Sequence, residues 1–361
     1  MDAEPNPPNP PNPRLLPDAP IEVLESSTLF RSPSLRRHGC GSLRRLGDGH
    51  LLLAFMAGTG PEHVNDGAVM LTWSDDDGRT WDEPFPIYAV PGWDSLPLGG
   101  IAHIRDDLLQ LIVGRVRYEP ALGGDEPFGG WFMGSTASRD GGRSWSEVGG
   151  DIRLWPEWTE LYGASNPHRL SDGRLAWAVM GTLGRDAEWQ AGVTFTGPEG
   201  GDDFSPPVVI AADPDRNFAD IDLVRVDDRR FIAVIRDIAE KEAWIAFSPD
   251  EAQTWHGLRK VGFRGANIKL FRLRDGSILC TYRDEDPARH GVSVSHSTDG
   301  GETWRWVGQL YSDPTADHRP GALCGYPDMV SLGDDRIAAV LHTYVKGGRA
   351  HLQFFVLRDR T

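Results

Sequence analysis

The sequence predicts an all-β fold, a six-bladed β-propeller of four-stranded antiparallel blades. Two repeated phrases and the composition carry this prediction. One phrase ends in tryptophan and occurs four times, and the other is an Asp-Gly or Asp-Asp turn that occurs six times. The 361 residues include 42 glycines and 27 prolines, as many short turns require, and no helical periodicity is sustained over a dozen residues.

The tryptophan-ended phrase has the pattern Ser-x-Asp-x-x-x-(Ser/Thr)-Trp, and we call it the Asp box. Its Asp can accept hydrogen bonds from backbone N–H groups of its own turn, and glycine supplies the positive φ angles of a tight hairpin. The Trp can bury a large apolar surface beside the turn. The pattern therefore predicts stabilised hairpin turns at residues 74–81, 138–145, 248–255 and 297–304.

The spacing of the repeats predicts the number of units. Successive box aspartates lie 64, 110 and 49 residues apart, so one unit within the long middle gap has lost its box, and we place that unit's turn at residues 196–204. The Asp turns lie between apolar, β-rich runs, which is typical of hairpins. They occur at residues 46–51, 103–108, 170–175, 226–231, 273–278 and 332–337. Six turns predict six units of about 50 residues, the period of a propeller blade.

The chain divides into a short tail and one domain. Residues 1–20 are rich in Pro and Asn and are expected to form a disordered or extended tail, while residues 21–361 form a single propeller. The tail has neither the cationic start nor the apolar centre of a secretory signal, and no apolar run approaches transmembrane length. We therefore expect a cytoplasmic protein.

Charge and cysteine content limit the partners. A net charge of −16 argues against nucleic acid and anionic membranes, although a local arginine cluster could still hold an acidic small ligand. Three cysteines do not suggest a disulfide framework. Cys40 with His38, and Cys324 with His318, match no recurrent metal-site spacing. We expect neither a metal nor a cofactor.

The two kinds of turn indicate which face carries the site. Each Asp turn joins the first strand of a unit to the second, and each box joins the third strand to the fourth, so both lie on one face. The opposite face, which we call the mouth face, collects the entrances to the first strands and the loops between second and third strands. Its segments are rich in Arg, Asp, Glu, His and Tyr, as in a ligand-binding mouth. The box carboxylates are expected to be structural.

Several mouth-face residues have positions that allow either a structural or a functional role. Arg236 follows an apolar strand and can point into solvent or into the mouth. Tyr326 starts the innermost strand of the sixth unit, where it can serve packing or chemistry. Asp220 and Asp222 open the innermost strand of the fourth unit. Because carboxylates beside a pore are costly unless they are paired, we expect an Arg or Tyr nearby.

From about residue 21 to residue 361, these features resemble the sialidase (neuraminidase) superfamily, of which this chain looks like a divergent Asp-box member. The stretch 220–236 is similar to the family's strand pair that starts at a carboxylate and ends at an arginine of its substrate-binding triad. Tyr326 begins a Tyr-x-x-x-Val-x-Leu phrase like that of the family's nucleophile. The resemblance implies that Arg236 binds a sugar carboxylate, Tyr326 is the nucleophile, and Asp220 takes its proton. Asp220 stands where the family has Glu.

The resemblance implies three further roles. The third arginine is either Arg283 or Arg289, and the sequence does not separate them. The general acid/base is Asp66, with Glu62 as second candidate. The family's first arginine lies in an Arg-Ile-Pro phrase, which the phrase around Arg31 resembles, although this phrase lies too far before the first strand.

Counting back from the first Asp turn places Gly39 at the position of that first arginine. Its neighbours Arg36, Arg37 and His38 are then the nearest cationic residues. We take Arg37 and His38 as the substrate-binding candidates from this segment.

These assignments together imply a retaining exo-glycosidase that releases a terminal acidic sugar, sialic acid or a related sugar, from a glycoconjugate. Two alternatives remain open. A uronate-directed polysaccharide lyase could use His38 or His342 as base or charge neutraliser and Tyr326 as acid. A non-catalytic carbohydrate-binding propeller would explain both Asp in place of Glu at position 220 and the displaced first arginine.

Overall fold

The computed structural model describes residues 13–30, 37–60, 65–105, 107–119, 128–152, 160–163, 165–183, 187–312, 324–345 and 349–361. These residues form β-strands and no helix, which confirms the all-β class. It follows that no described helix is long and apolar enough to cross a membrane.

Twenty-four strands are present in the described residues, and neighbours in sequence pair antiparallel almost throughout. They are β1 (Arg14–Leu15), β2 (Ile21–Leu29), β3 (Arg37–Arg45), β4 (Leu51–Gly58), β5 (Ala68–Ser74), β6 (Phe85–Ala89), β7 (Asp94–Arg105), β8 (Leu108–Tyr118), β9 (Phe128–Ser138), β10 (Glu160–Gly163), β11 (His168–Arg169), β12 (Leu175–Thr182), β13 (Gln190–Thr196), β14 (Val208–Ala211), β15 (Phe218–Arg225), β16 (Phe231–Asp237), β17 (Glu242–Ser248), β18 (His256–Arg272), β19 (Ile278–Asp284), β20 (Gly291–Ser297), β21 (Arg305–Ser312), β22 (Gly325–Gly333), β23 (Arg336–Val345) and β24 (Arg349–Asp359).

The described strands form five sheets, and we divide them into six consecutive units by splitting the eight-stranded sheet at β18. They are β3–β6, β7–β9, β10–β14, β15 to the first half of β18, the second half of β18 to β21, and β22–β24. The long strand β18 serves two units, because its first half pairs with β17 and its second half with β19. The second unit departs from the expected four strands. Residues 146–152 hydrogen-bond to the edge of β9 at intervals instead of forming a fourth strand.

The N-terminal segment completes the sixth unit. Strand β2 pairs antiparallel with β24, from Ile21 opposite Asp359 to Leu29 opposite Leu352. The sixth unit therefore has no turn between its third and fourth strands, which explains why it has no box. Within the segment expected to be a tail, β1 forms a two-residue ladder on β21, and residues 1–12 lie outside the described residues.

The hydrogen bonds predicted for the Asp box are confirmed. In the first box, Asp76 accepts bonds from the Thr80 N–H at 2.8 Å, the Thr80 hydroxyl at 2.7 Å and the Ser74 hydroxyl at 2.9 Å. The Trp81 indole N–H donates to the Gly78 carbonyl at 2.9 Å. The same bonds recur around the other three box aspartates, Asp140, Asp250 and Asp299.

The expected turn without a box is present at residues 196–204. Gly197 and Gly200 form an isolated bridge that closes it. Phe204 lies where a box would have its tryptophan and packs edge-on against Trp177, with ring centroids 5.9 Å apart. An aromatic contact thus survives where the aspartate and hydroxyl pattern does not.

Apolar side chains pack between neighbouring units rather than around one centre. One cluster contains Leu43 and Leu53 of the first unit together with Val340 and Phe354 of the sixth. Another joins the fifth and sixth units, and others join the units between. The first box takes part in this packing, because Trp81 meets Phe354 edge-on at 5.5 Å between ring centroids.

The innermost strands share an irregularity at their mouth-face ends. The register shifts in β3, β7, β15 and β22 a few residues after each strand begins, and in β18 near the start of its second half. Such bulges bend a strand and re-aim its side chains. Each of these strands also contacts the innermost strand of a neighbouring unit, and β22 contacts β3. The bulged ends therefore meet around a common depression.

Candidate functional site

The depression between the innermost strands is a pocket to which all six units contribute. Its lining includes small and apolar residues of the first two units and polar residues of the other four. The polar and aromatic members are Ser42, Ser165, Asn166, Asp220, Asn267, Lys269, Tyr326 and Asp328. Two of the residues that the sequence analysis placed in the catalytic machinery, Asp220 and Tyr326, thus share one pocket.

Asp220, Asn267 and Tyr326 reach the pocket by the same backbone device. Their φ angles are 46°, 50° and 45°, in the left-handed region that residues other than glycine rarely adopt. Each lies at the bulge of its innermost strand and eight residues before an aspartate of an Asp turn. Strained backbone of this kind is retained where the surroundings enforce it, commonly at functional sites. Sequence reasoning missed Asn267, although this constant spacing would have revealed it.

Asp220 has the cationic partner that the sequence predicted. Its Oδ2 lies 3.1 Å from Arg236 Nη1, and the same oxygen accepts a hydrogen bond from the backbone N–H of Asn267 at 3.1 Å. Both charged side chains are largely buried, with 14% of Arg236 and 13% of Asp220 exposed. The pair links the innermost strand of the fourth unit to its neighbour strand and to the fifth unit.

Glu285, which the sequence analysis did not single out, holds three cations. Its Oε1 accepts a hydrogen bond from Arg283 Nε at 3.2 Å and lies 3.5 Å from Arg236 Nη2. Its Oε2 lies 3.4 Å from Lys241 Nζ. Burial raises the pKa of Glu285, but the three cations outweigh burial and hold this pKa below its usual value. Glu285 is therefore ionised at neutral pH.

Arg283 connects this cluster to Tyr326. Burial lowers the pKa of Arg283, but the nearby Glu285, Tyr326 and Asp220 raise it overall. The Tyr326 ring stacks on His342 with centroids 5.3 Å apart and planes inclined by 26°. Tyr326 is therefore close enough to Arg283 to influence its charge, and it stacks on the imidazole of His342.

The two candidates for the third arginine have different surroundings. Arg289 Nη2 lies 2.9 Å from Asp286 Oδ2, its Nε lies 3.2 Å from Asp284 Oδ2, and its guanidinium lies over the Trp306 ring. Arg283 instead shares Glu285 with Arg236. The structure thus brings Arg283, and not Arg289, together with Tyr326 and Arg236.

Asp66 closes its own loop on the mouth face. Its Oδ2 accepts hydrogen bonds from the Thr59 N–H at 2.8 Å, the Thr59 hydroxyl at 2.6 Å and the Gly60 N–H at 2.8 Å. The following residue, Gly67, donates its N–H to Asp94 of the second unit at 2.8 Å. Among the described residues, Asp66 is not part of the pocket lining.

The segment expected to supply the first arginine is only partly described. The backbones of Arg37 and His38 pair with Gly58 and Ala57, while the side chains of both lie outside the described part. A Cβ on Gly39 would lie 3.4 Å from Nδ1 of His342. The remaining candidates lie outside the described residues: Arg31, Arg36, Glu62 and His318.

A buried charge cluster forms the floor of the pocket. Asp328 accepts hydrogen bonds from the Leu43 N–H at 2.8 Å and from Asn166 Nδ2 at 3.0 Å, and lies 3.2 Å from Lys269 Nζ. Lys269 Nζ also lies 3.8 Å from Asp222 Oδ2. Burial raises the pKa of Asp222 to about 6.

Two members of this floor were missed by sequence reasoning, which named only Asp222. Asp222, Lys269 and Asp328 each lie two residues after a pocket residue with positive φ. That shared register is the available signal. The charge cluster, together with the contacts that Leu43 and Asn166 make to Asp328, joins five of the six units at the centre.

The arrangement suits a polar, hydroxylated ligand. A phenol, two carboxylates, two amides and an ammonium group line one pocket, and Arg236 pairs with the pocket carboxylate Asp220. Such convergent polar groups in a concavity are typical of small-molecule sites. A tyrosine becomes a competent nucleophile when a base can take its proton. A carboxylate and a tyrosine in one pocket supply these two components.

The fold is shared with several solved structures. A protein of unknown function from Dyadobacter fermentans is 20% identical with a TM-score of 0.78, and the match covers 94% of this chain and 99% of that chain. The intramolecular trans-sialidase from Ruminococcus gnavus, in complex with oseltamivir carboxylate, is 13% identical with a TM-score of 0.63, covering 91% and 96%. The α-L-arabinanase from Penicillium chrysogenum, complexed with arabinobiose, is 13% identical with a TM-score of 0.61. This match covers 94% of this chain and 99% of the arabinanase chain.

At the level of sequence, no curated protein matches this chain. A family profile does match, and its description is BNR repeat-like domain. The fold neighbours include a trans-sialidase, so the resemblance to the sialidase superfamily is confirmed at the level of fold. Because the profile spans residues 105–342, more than half of the sequence, the chain belongs to the BNR repeat-like domain family.

Proposed function

We propose that the six units close into a six-bladed β-propeller and that this propeller is a retaining exo-glycosidase for a terminal sugar bound in the central pocket. The contact between β22 and β3 and the apolar cluster shared by the first and sixth units support closure. One observation carries the activity. Asp220, Arg236 and Arg283 meet in one hydrogen-bonded cluster beside Tyr326.

The first half of the proposed reaction forms a covalent intermediate. The phenolic oxygen of Tyr326 attacks the anomeric carbon while Asp220 takes the phenolic proton. The bond from the anomeric carbon to the departing oxygen breaks, and Asp66 protonates that oxygen. A tyrosine nucleophile is a known exception to the two-carboxylate rule of glycosidases.

The second half releases the sugar. Water gives a proton to the Asp66 carboxylate and attacks the anomeric carbon of the tyrosyl-glycoside. The bond to Tyr326 breaks, and its oxygen recovers the proton from Asp220. Two inversions give retained configuration. The role of Asp66 requires that its loop, closed by Thr59 and Gly60, bring the carboxylate over the bound sugar.

The nature of the sugar is a separate question. The expected carboxylate-bearing sugar would bind to the pair Arg236 and Arg283, because guanidinium groups bind carboxylates well. Glu285 bears on the same question, since it already contacts both arginines. The fold accommodates both ligand classes, as the complexes with oseltamivir carboxylate and with arabinobiose illustrate.

Turnover of a panel of 4-methylumbelliferyl glycosides, acidic and neutral, tests the proposal. We expect Tyr326→Phe to reduce turnover of the accepted glycoside at least about 1,000-fold, because the nucleophile is lost. Tyr88→Phe is the matched control, since Tyr88 contacts Arg115 away from the pocket. Full activity of Tyr326→Phe would contradict the mechanism.

The stacking of His342 on Tyr326 favours one second candidate, a uronate-directed polysaccharide lyase. In that reaction His342 would act as base or charge neutraliser, and Tyr326 would protonate the leaving oxygen. A lyase product contains a new carbon–carbon double bond conjugated to the carboxylate and absorbs ultraviolet light, whereas a hydrolase product does not. Binding of sugars without either product would identify a carbohydrate-binding propeller.

A further inference from the structure

The arginine pair beside the pocket carries a carboxylate of its own, because Glu285 contacts both Arg236 and Arg283, and Arg236 in turn pairs with the pocket residue Asp220. We propose that Glu285 occupies the place where a substrate carboxylate would bind, so that the pocket selects a terminal sugar without a carboxylate group. This inference rests on the proposed function, because it names the class of sugar that the same pocket accepts.

The contacts of Glu285 are those that a bound carboxylate would make. Oε1 is shared by the two guanidinium groups, at 3.2 Å from Arg283 Nε and Nη2 and 3.5 Å from Arg236 Nη2. Oε2 faces Lys241 Nζ at 3.4 Å. Arginine presents a planar fork that matches carboxylate geometry. With Glu285 in place, the fork of each arginine already has an anionic acceptor.

Because the three side chains are largely buried, replacing Glu285 by a substrate carboxylate would be energetically costly. The exposed fractions of the Arg236, Arg283 and Glu285 side chains are 14%, 12% and 14%. Removing one partner from a buried ion pair leaves an uncompensated charge. A substrate carboxylate would therefore have to displace Glu285 and leave that glutamate without its partners.

The charges around the pair leave little attraction for another anion. Three cations, Arg236, Arg283 and Lys241, face two carboxylates, Asp220 and Glu285. Only one positive charge is in excess, and Lys241 is the most exposed of the three, at 49%. A third carboxylate beside Glu285 would meet like-charge repulsion in a weakly hydrated site.

The competing role for Glu285 is to orient both arginines around a substrate carboxylate. The two roles predict opposite results when the charge of Glu285 is removed. If Glu285 takes the place of a substrate carboxylate, Glu285→Gln strengthens the binding of an acidic sugar. If it positions the arginines, the same substitution weakens that binding.

Binding of N-acetylneuraminic acid and of its methyl ester, measured by calorimetry on the full chain, tests the inference. The ester keeps the sugar and removes only the charge. We expect the wild-type protein to bind the two within about twofold of each other, and Glu285→Gln to prefer the acid by about tenfold, as one charge-assisted hydrogen bond provides. Asp286→Asn is the matched control, because it removes the same charge from a residue paired with Arg289.

Two results would overturn the inference: a tenfold preference of the wild-type protein for the acid, or weaker binding of the acid by Glu285→Gln than by wild type. The wild-type comparison decides the matter even if Glu285→Gln does not fold. The readout is binding, so absence of turnover on every glycoside would contradict the proposed function without affecting this result. Efficient wild-type turnover of a sialoside would instead contradict this inference and leave the glycosidase proposal intact.

Discussion

The Asp-box turns and the mouth face are built from similar residue types in opposite ways. In the first box, Asp76 makes its contacts with Ser74 and Thr80, within four residues along the chain. At the mouth face, Asp220 pairs with Arg236 and with the backbone of Asn267, 16 and 47 residues away. An aspartate in a box is satisfied by its own turn, whereas an aspartate in the pocket is satisfied only by the assembled fold.

This difference separates stability from function. A box repeats because its local hydrogen bonds can form wherever the pattern occurs. The pocket has no repeat of side chains, only a repeat of backbone, since Asp220, Asn267 and Tyr326 share one φ region at corresponding bulges. Identical positions on the repeat can thus carry different chemistry without disturbing the turns that hold each unit together.

The largest expected difference in stability between the two regions concerns the charge cluster at the floor of the pocket. Asp328→Ala should lower the free energy of unfolding by about 3–5 kcal/mol, because it leaves Lys269 buried and without its nearest carboxylate. Asp335→Ala is the control and should cost no more than about 1 kcal/mol, since its pair with Arg358 is exposed. Denaturant unfolding measures both values. Equal losses in the two variants would show that the floor cluster adds no stability.

The pH dependence of stability should show the contribution of Asp222, a member of the charge cluster at the floor of the pocket. Burial raises the pKa of Asp222 from 3.8 to about 6, so the folded protein binds this proton more tightly than the unfolded chain does. Stability from this group is therefore present below about pH 4 and is lost as the pH rises to about 6, by at most about 3 kcal/mol.

Asp222→Asn, which cannot titrate, should remove that part of the pH profile. The measurement is the unfolding free energy of both proteins at several pH values between about 4 and 7. The groups that face Asp222 are Lys269 and the backbone N–H groups of Leu270 and Leu223, with Asp328 and Cys280 nearby. A wild-type profile that matches the Asp222→Asn profile in this window would show that Asp222 does not titrate there.

The smallest expected changes in stability come from substituting one aspartate of a box and one of the pocket. Measuring stability and turnover on both variants separates the structural role from the catalytic one. Asp76→Asn should cost about 1–2 kcal/mol of stability and leave turnover unchanged, because its bonds are local and exposed. Asp220→Asn should reduce turnover at least about 100-fold with little loss of stability, since Arg236 keeps Glu285 as a partner. Thermal unfolding and glycoside turnover are measured on both. If Asp76→Asn lost the activity, the division between the two faces would be wrong.

The sequence alone predicted the parts of the fold that depend on short-range chemistry. The boxes, the six Asp turns and the turn at residues 196–204 were recognisable because Asp, Gly, Ser and Trp act within one hairpin. Asp220 and Arg236 were also recognisable. They lie at the start and the end of two apolar strands that form one hairpin, and the hairpin brings the start and the end together.

The rest of the site depended on contacts between units. Lys269 and Asp328 lie 59 residues apart and meet only when the innermost strands assemble. Glu285 lay within a mouth-face loop, but its bridge between Arg236 and Arg283 requires two neighbouring units. The choice between Arg283 and Arg289 could not be made from sequence for the same reason. Arg283 lies near the end of β19 and Arg289 in the loop that follows, and only the assembled fold shows which carboxylates each one meets.

The pairing of β2 with β24 has a consequence for synthesis of the chain. Ile21 emerges from the ribosome well before its partner Asp359, which lies 338 residues later in the chain. Strand β2 must therefore wait, with its apolar residues unburied, until β24 has been synthesised. Ribosome-bound chains that lack β24 should bind chaperones through residues 21–29, and longer chains that include β24 should lose that binding.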